Sequence, residues 1–207
     1  MKDVFIRIQK AGGHSLNRAI KGAGVGMLGH SYSYLLGPLV CGWEQDQYDV
    51  EFPAFDPRGY DRIYALVRNP FDILVSYYHH NDYPDMFPQT RSGWLSCNNV
   101  GGFTSWDQFL DAYIDPGYSW HLPPMKTSMF SFAYDEKSEL IITDFFKLEE
   151  AEKLSDFLIG RGGSAIEKIN VNRCYDRKQE FYTKNQILKL KQIWRRDLEY
   201  FQYKAPQ

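Results

Sequence analysis

Two short stretches carry residue types that can hold phosphate. The first is Lys10-Ala11-Gly12-Gly13-His14-Ser15, set between the apolar run Val4-Phe5-Ile6-Arg7-Ile8 and Leu16–Ile20, which reads as a helix. Two glycines let the backbone turn tightly and present its N–H groups. The helix start adds a positive dipole end, and Lys10 and Ser15 add a charge and a hydroxyl. Together these make an anion cradle, although an ordinary Gly-Gly turn beside a surface lysine uses the same residues. The order is not that of a Walker A loop, in which the lysine follows the glycines and a neighbouring hydroxyl serves Mg²⁺.

The second stretch runs from Arg68-Asn69-Pro70 to Ser76. Arg68 leaves the end of the strand-like run Arg62–Val67, where α/β proteins gather ligands. Ser76 lies eight residues on, about two helical turns away, so one phosphate beside the helix can touch both. Pairing of Arg68 with a surface carboxylate, and of Ser76 with a carbonyl of its own helix, reads the same residues without function. His30 follows Gly29 at the end of the strand-like Gly24–Leu28 and can project into a cleft. His79 and His80 with Asp82 read as a helix-end pair rather than a metal site, and His121 as an exposed loop residue. Arg195-Arg196 reads as the solvated face of the last helix.

These residues need elements to position them. Strand, glycine turn and helix open the chain, and Asn69 with Pro70 marks a helix start for Phe71–His79. Ser105-Trp106-Asp107-Gln108 is a capping box opening a helix through Ile114. Leu140–Thr143 reads as a strand and Leu148–Ile159 as an amphipathic helix closed by Gly160. Thr183-Lys184-Asn185-Gln186 opens a last helix with Ile187, Leu190, Ile193, Trp194, Leu198 and Phe201 on one stripe. Strands alternating with helices predict an α/β fold, a central mostly parallel sheet flanked by helices. The stretches 37–61, 81–103 and 115–138 are irregular and aromatic.

Composition narrows the classes. At 207 residues and 43% hydrophobic the chain supports one domain with a sizeable core. A net charge of −2 argues against nucleic acid or an anionic membrane as partner, so any anion chemistry comes from a local cluster. Cys41, Cys97 and Cys174 are odd in number and far apart, which fits free thiols in a reducing compartment. No leader-like segment precedes Val4 and no long apolar run occurs, so the expectation is a soluble, cytoplasmic protein. Oligomeric state is not legible.

With these residues in place, the sequence resembles a family. Phe5-Ile6-x-x-x-Lys10-Ala11-Gly12-Gly13-x-Ser15-Leu16 is similar to the 5′-phosphosulfate loop of sulfotransferases that use 3′-phosphoadenosine 5′-phosphosulfate (PAPS). Val67-Arg68-Asn69-Pro70-Phe71-Asp72-x-x-Val75-Ser76-x-Tyr78 is similar to their 3′-phosphate-binding strand and helix. Gly29-His30 resembles the Gly-His of the carbohydrate-type branch, in which the histidine is the general base. Weaker similarity runs through Ser105–Leu110, Asn170–Asn172 and Asp197–Tyr203. Ala11 and Gly13 stand where hydroxyl residues are frequent, and His14 is unusual, so some hydrogen bonds to a 5′-phosphate fall to backbone N–H groups.

The resemblance implies a single sulfotransferase-like domain over residues 1–207 with a P-loop-like strand–loop–helix. It implies sulfuryl transfer from PAPS, leaving adenosine 3′,5′-bisphosphate (PAP), to a hydroxyl of a carbohydrate or small molecule. Lys10 and His30 are the implied catalytic pair. Lys10, Ala11, Gly12, Gly13, His14 and Ser15 would hold the 5′-phosphate, Arg68 and Ser76 the 3′-phosphate, and Arg173 the nucleotide from the C-terminal side. No metal is implied. Two other classes use the same residues: a small nucleotide or metabolite kinase, which lacks here the hydroxyl after its lysine, and a non-catalytic anion-binding module with a decayed site.

Overall fold

The computed structural model describes residues 2–8, 11–28, 32, 33, 37, 38, 57–80, 105–114, 129, 140–167 and 181–206. Its strands are β1 (Asp3–Arg7), β2 (Val25–Leu28), β3 (Tyr32–Ser33), β4 (Gly37–Pro38), β5 (Arg62–Val67) and β6 (Asp144–Lys147). Its α-helices are α1 (Gly13–Ala19), α2 (Pro70–His80), α3 (Trp106–Ile114), α4 (Ala151–Ile159), α5 (Lys184–Ile193) and α6 (Arg195–Phe201). The chain divides into two units: the first carries the strands with α1 and α4, the second carries α2, α3, α5 and α6.

In the first unit the α/β class expected from the alternation is present. Four strands lie in the order β2-β1-β5-β6, all parallel, and β3 pairs antiparallel with β4 in a separate two-residue ladder. β5 is buried from Ile63 to Val67, as a central strand covered on both faces must be. Register Phe5↔Tyr64 and Leu66↔Phe146 puts Phe5, Tyr64 and Phe146 on one face, where α4 adds Phe157. Ring centroids stand 5.2 Å apart for Phe5–Tyr64, 5.0 Å for Tyr64–Phe157 and 4.9 Å for Phe146–Phe157. Tilted and edge-on pairs at such spacings add to plain area burial.

The amino edge of the sheet is fastened by a buried charge. Asp3 is 2% exposed, and its Oδ2 accepts from Arg161 Nη1 at 2.6 Å and from the Tyr64 hydroxyl at 3.3 Å. Arg161 Nη2 donates to that same hydroxyl oxygen at 3.3 Å, and its guanidinium lies 4.7 Å from the Phe157 ring centre. Arg161 sits in the turn after α4, whose next residue, Gly162, closely approaches Gly22. A Cβ on Gly22 would meet the Gly162 carbonyl oxygen at 2.7 Å, so that crossing excludes side chains.

One strand differs from its sequence expectation. The run Leu140–Thr143 is aliphatic, yet the ladder with β5 falls on Asp144–Lys147. Thr143 is the entry point: its N–H donates to the Ile63 carbonyl at 2.6 Å, and its Oγ1 accepts from the Ile63 N–H at 3.1 Å. Regular pairing begins one residue later, which places Phe146 among the aromatic rings while Leu140 stays 54% exposed. Leu148–Glu150 forms a 3-10 turn ahead of α4, so the helix expected from Leu148 begins at Ala151.

In the second unit Phe71, Leu110, Tyr113, Leu190 and Trp194 form the heart of the core. The Tyr182 hydroxyl donates to the Phe71 carbonyl at 2.7 Å, and burial pushes its phenol well above the usual range. Thr183 and Gln186 close the full capping box read from the sequence. The single long helix expected after it is two, broken at Trp194 (φ −103°, ψ 20°), whose buried indole stands edge-on to Phe71 at 5.2 Å. At the start of α3, Ser105 Oγ accepts from the Gln108 N–H at 3.3 Å.

Removing Arg161 leaves a buried carboxylate without its cation, a change that costs about 3 kcal/mol. Arg161→Ala is expected to lower unfolding free energy by about that amount in urea titration. Replacing both Asp3 and Arg161 by alanine should cost less than the single Arg161 change. A double variant no more stable than Arg161→Ala would contradict this role for the pair.

Candidate functional site

Beyond β1 the description resumes at Ala11. Ala11 is buried and its N–H donates to the Ile8 carbonyl at 3.3 Å. Gly12 takes the left-handed conformation, φ 88° and ψ 22°, and is the N-cap of α1, with Leu16 N–H donating to its carbonyl at 3.0 Å. Gly13 is thus the first helical residue rather than part of the turn, and α1 starts three residues earlier than the sequence suggests. The N–H groups of residues 13 to 15 precede the first intrahelical bond and point out of the helix start. No side chain caps this end and its first turn holds no acidic residue. Because α1 has only seven residues, these local amides matter more than any helix-wide dipole. Ser15 is buried and His14 exposed.

Beyond β5 come half-buried Arg68 and buried Asn69, and α2 then opens at Pro70, as the Asn-Pro signal predicts. Parallel pairing, with Arg7↔Leu66 the last register pair, brings the β1 turn and Arg68 off the same carboxyl edge on neighbouring strands. Such strands lie about 4.8 Å apart. From β1 the sheet extends to β2 on one side and to β5 and β6 on the other, so strand order reverses between β1 and β5. That reversal is where open parallel sheets bind ligands.

A third piece was not anticipated. β6 leads into Leu148 and Glu149, and the Glu149 Oε1 accepts from the Asn69 N–H at 2.7 Å. A Cβ on Gly12 would stand 2.8 Å from Leu148 Cδ1 and 3.1 Å from Cδ2. The exit of β6 therefore supports both loops. Its one sequence signal is an acidic residue just past a strand that pairs beside the arginine-bearing one, and reading it requires the correct position of β6.

Of the residues singled out in sequence, Ala11, Gly12, Gly13, His14, Ser15 and Arg68 are brought to one edge of the first unit. Ser76 lies half-buried in α2, in the second unit. Lys10, His30 and Arg173 lie outside the described residues, as does His121. His79 and His80 close α2. Among the described residues no three His, Cys, Asp or Glu side chains form a group that could hold a metal. Among them, too, no helix is long and apolar enough to cross a membrane.

No family model matches the chain, and no curated protein does. Among solved structures it is similar to mouse sulfotransferase SULT7A1 complexed with PAP, at 18% identity and a TM-score of 0.35. The match covers 92% of this chain and 65% of that one, so this chain spans less than two thirds of that sulfotransferase. At such identity and superposition the likeness says nothing of what this chain binds.

Gly12 is required by its positive φ, and a Cβ there would also have to push aside the end of the Leu148 side chain. Gly12→Ala is expected to lower stability by more than the roughly 1 kcal/mol of a positive-φ alanine. Adding Leu148→Ala should recover the steric part and leave the backbone part, as read from melting temperatures. Equal loss with and without Leu148 would show that the turn tolerates the contact.

Proposed function

We propose that this protein is a PAPS-dependent sulfotransferase acting on a hydroxyl of a carbohydrate or small molecule. The observation that supports it is the β1–β5 pairing. A glycine turn presenting backbone N–H groups stands beside an arginine at the reversal point of a parallel sheet. Those groups suit phosphate, since the turn offers N–H donors without an acidic competitor in its helix start, and Arg68 offers a cation. The motif resemblance assigns the two loops to the two phosphates of one nucleotide.

PAPS, when bound, supplies a sulfuryl group joined to its 5′-phosphate through a bridging oxygen. The backbone of Ala11–Ser15 and the Ser15 hydroxyl hold the 5′-phosphate; Arg68 and, eight residues along the chain, Ser76 hold the 3′-phosphate. The motif resemblance adds Arg173 to the residues that contact the nucleotide. His30 takes the proton of the acceptor hydroxyl, a task suited to an imidazole titrating near neutrality. As the acceptor oxygen bonds to sulfur and the bond from sulfur to the bridging oxygen breaks, Lys10 balances the charge growing on that oxygen. The scheme draws its positive charge from Lys10 and the loop amides and assigns no role to a metal.

Ligand binding to the folded state raises its melting temperature by mass action. Adenosine 3′,5′-bisphosphate is therefore expected to stabilise the protein well beyond 5′-AMP. Arg68→Ala should erase most of the difference, a charge-assisted contact being worth about 1.5–3 kcal/mol. Equal shifts from the two nucleotides would sink the assignment.

The chemical roles separate in single-turnover measurements. His30 acts on the acceptor, so His30→Ala should leave bisphosphate affinity nearly unchanged and slow transfer by about 10²–10⁴. Lys10 meets the donor in ground and transition states, so Lys10→Ala should weaken binding and slow transfer together. A His30→Ala protein turning over at the wild-type rate would place the base elsewhere, with His14 and Glu44 next to test.

A further inference from the structure

The segment after β6 touches both candidate phosphate loops inside one unit. Glu149 Oε1 accepts the Asn69 N–H at 2.7 Å, which pins the peptide directly after Arg68. Leu148 packs its methyl groups against the Gly12 turn, closely enough that a Cβ there would clash. Since β5 lies between β1 and β6, this segment reaches over the carboxyl end of β5 to meet the β1 turn. We propose that Leu148 and Glu149 are positioning residues for nucleotide binding. Leu148 sets the turn that holds the 5′-phosphate, and Glu149 sets Arg68 for the 3′-phosphate. This rests on the phosphate assignment proposed above.

The charge of Glu149 sharpens the claim. A carboxylate beside a phosphate site opposes binding by repulsion, so any favourable effect must come through geometry. A charge-assisted bond to a backbone N–H is strong and directional enough to supply it. Glutamine keeps an acceptor at that place and removes the repulsion, whereas alanine removes both.

The test is calorimetric titration of the full chain with adenosine 3′,5′-bisphosphate and with 5′-AMP. Wild type, Glu149→Ala, Glu149→Gln and Leu148→Ala are compared, with ligand-free melting temperatures alongside. Wild type is expected to prefer the bisphosphate. Glu149→Ala should cut that preference about tenfold, equal to about 1.4 kcal/mol, at unchanged 5′-AMP affinity. Glu149→Gln should restore it. Leu148→Ala should weaken both nucleotides by the same factor, and Leu148→Val reads the same effect if the alanine protein does not fold. Undiminished preference in Glu149→Ala, or a glutamine variant that behaves like alanine, overturns the role of Glu149 and leaves the phosphate assignment standing. Unchanged 5′-AMP affinity in the Leu148 variant overturns the role of Leu148. A wild type without preference overturns the assignment and this inference with it.

Discussion

Everything at the candidate site depends on one constraint, the in-register parallel pairing of β1 with β5. Parallel pairing sends both strand exits off the same edge; an antiparallel pair would place the glycine turn and Arg68 at opposite ends of the sheet. Register matters as much as direction. Side chains alternate along a strand, so a slip of one residue would turn Phe5 away from the face that Tyr64 occupies. The contact between those rings, 5.2 Å between centroids, and their shared packing on Phe146 and Phe157 therefore tie the sheet core to the site. Core packing on one face fixes which backbone groups stand side by side at the edge.

The edge itself is shaped from outside the two loops. Gly12 can adopt a positive φ because it lacks a Cβ, and the same lack lets Leu148 close over the turn. A bulkier residue would have to displace a side chain carried by the turn that follows the far strand of the sheet. Asn69 is held by that strand's exit as well, through a carboxylate rather than through packing. Two neighbouring residues beyond β6 thus constrain loops that lie 136 and 80 positions away in sequence, counted from Leu148 to Gly12 and from Glu149 to Asn69.

How much of this the sequence disclosed follows from what kind of force set each feature. β5 was legible because an unbroken apolar run bounded by Arg62 and Arg68 has few uses other than a buried strand. The start of α2 was legible because Pro70 cannot continue a strand interior and suits a first helical turn. The capping box at Thr183 is legible because it is local chemistry, closed between Thr183 and Gln186. β6 starts four residues beyond the start of the hydropathic run Leu140–Thr143, because pairing is decided by Thr143 bonding to Ile63 and by Phe146 joining rings far away in sequence. The break at Trp194 likewise follows from burial against Phe71, which periodicity on one helix cannot show. In the site, loop residues with diagnostic types were readable, whereas Leu148 and Glu149 have ordinary types and acquire their place only through the sheet.

The two edges of the sheet handle charge in different ways. At the amino edge Asp3 is answered inside the protein by Arg161 and the Tyr64 hydroxyl, an arrangement that stabilises and leaves little for a ligand. At the carboxyl edge the nearby acids are engaged by local partners instead. Glu149 is taken up by a backbone N–H. Glu150 is paired with Lys153 and Lys147, and its carboxyl is held below the usual range first by the Lys153 hydrogen bond. The first turn of α1 carries no acid at all. Charge at either edge is thus set by individual pairings close to the backbone, at ranges shorter than the screening length, and not by the net charge of the chain.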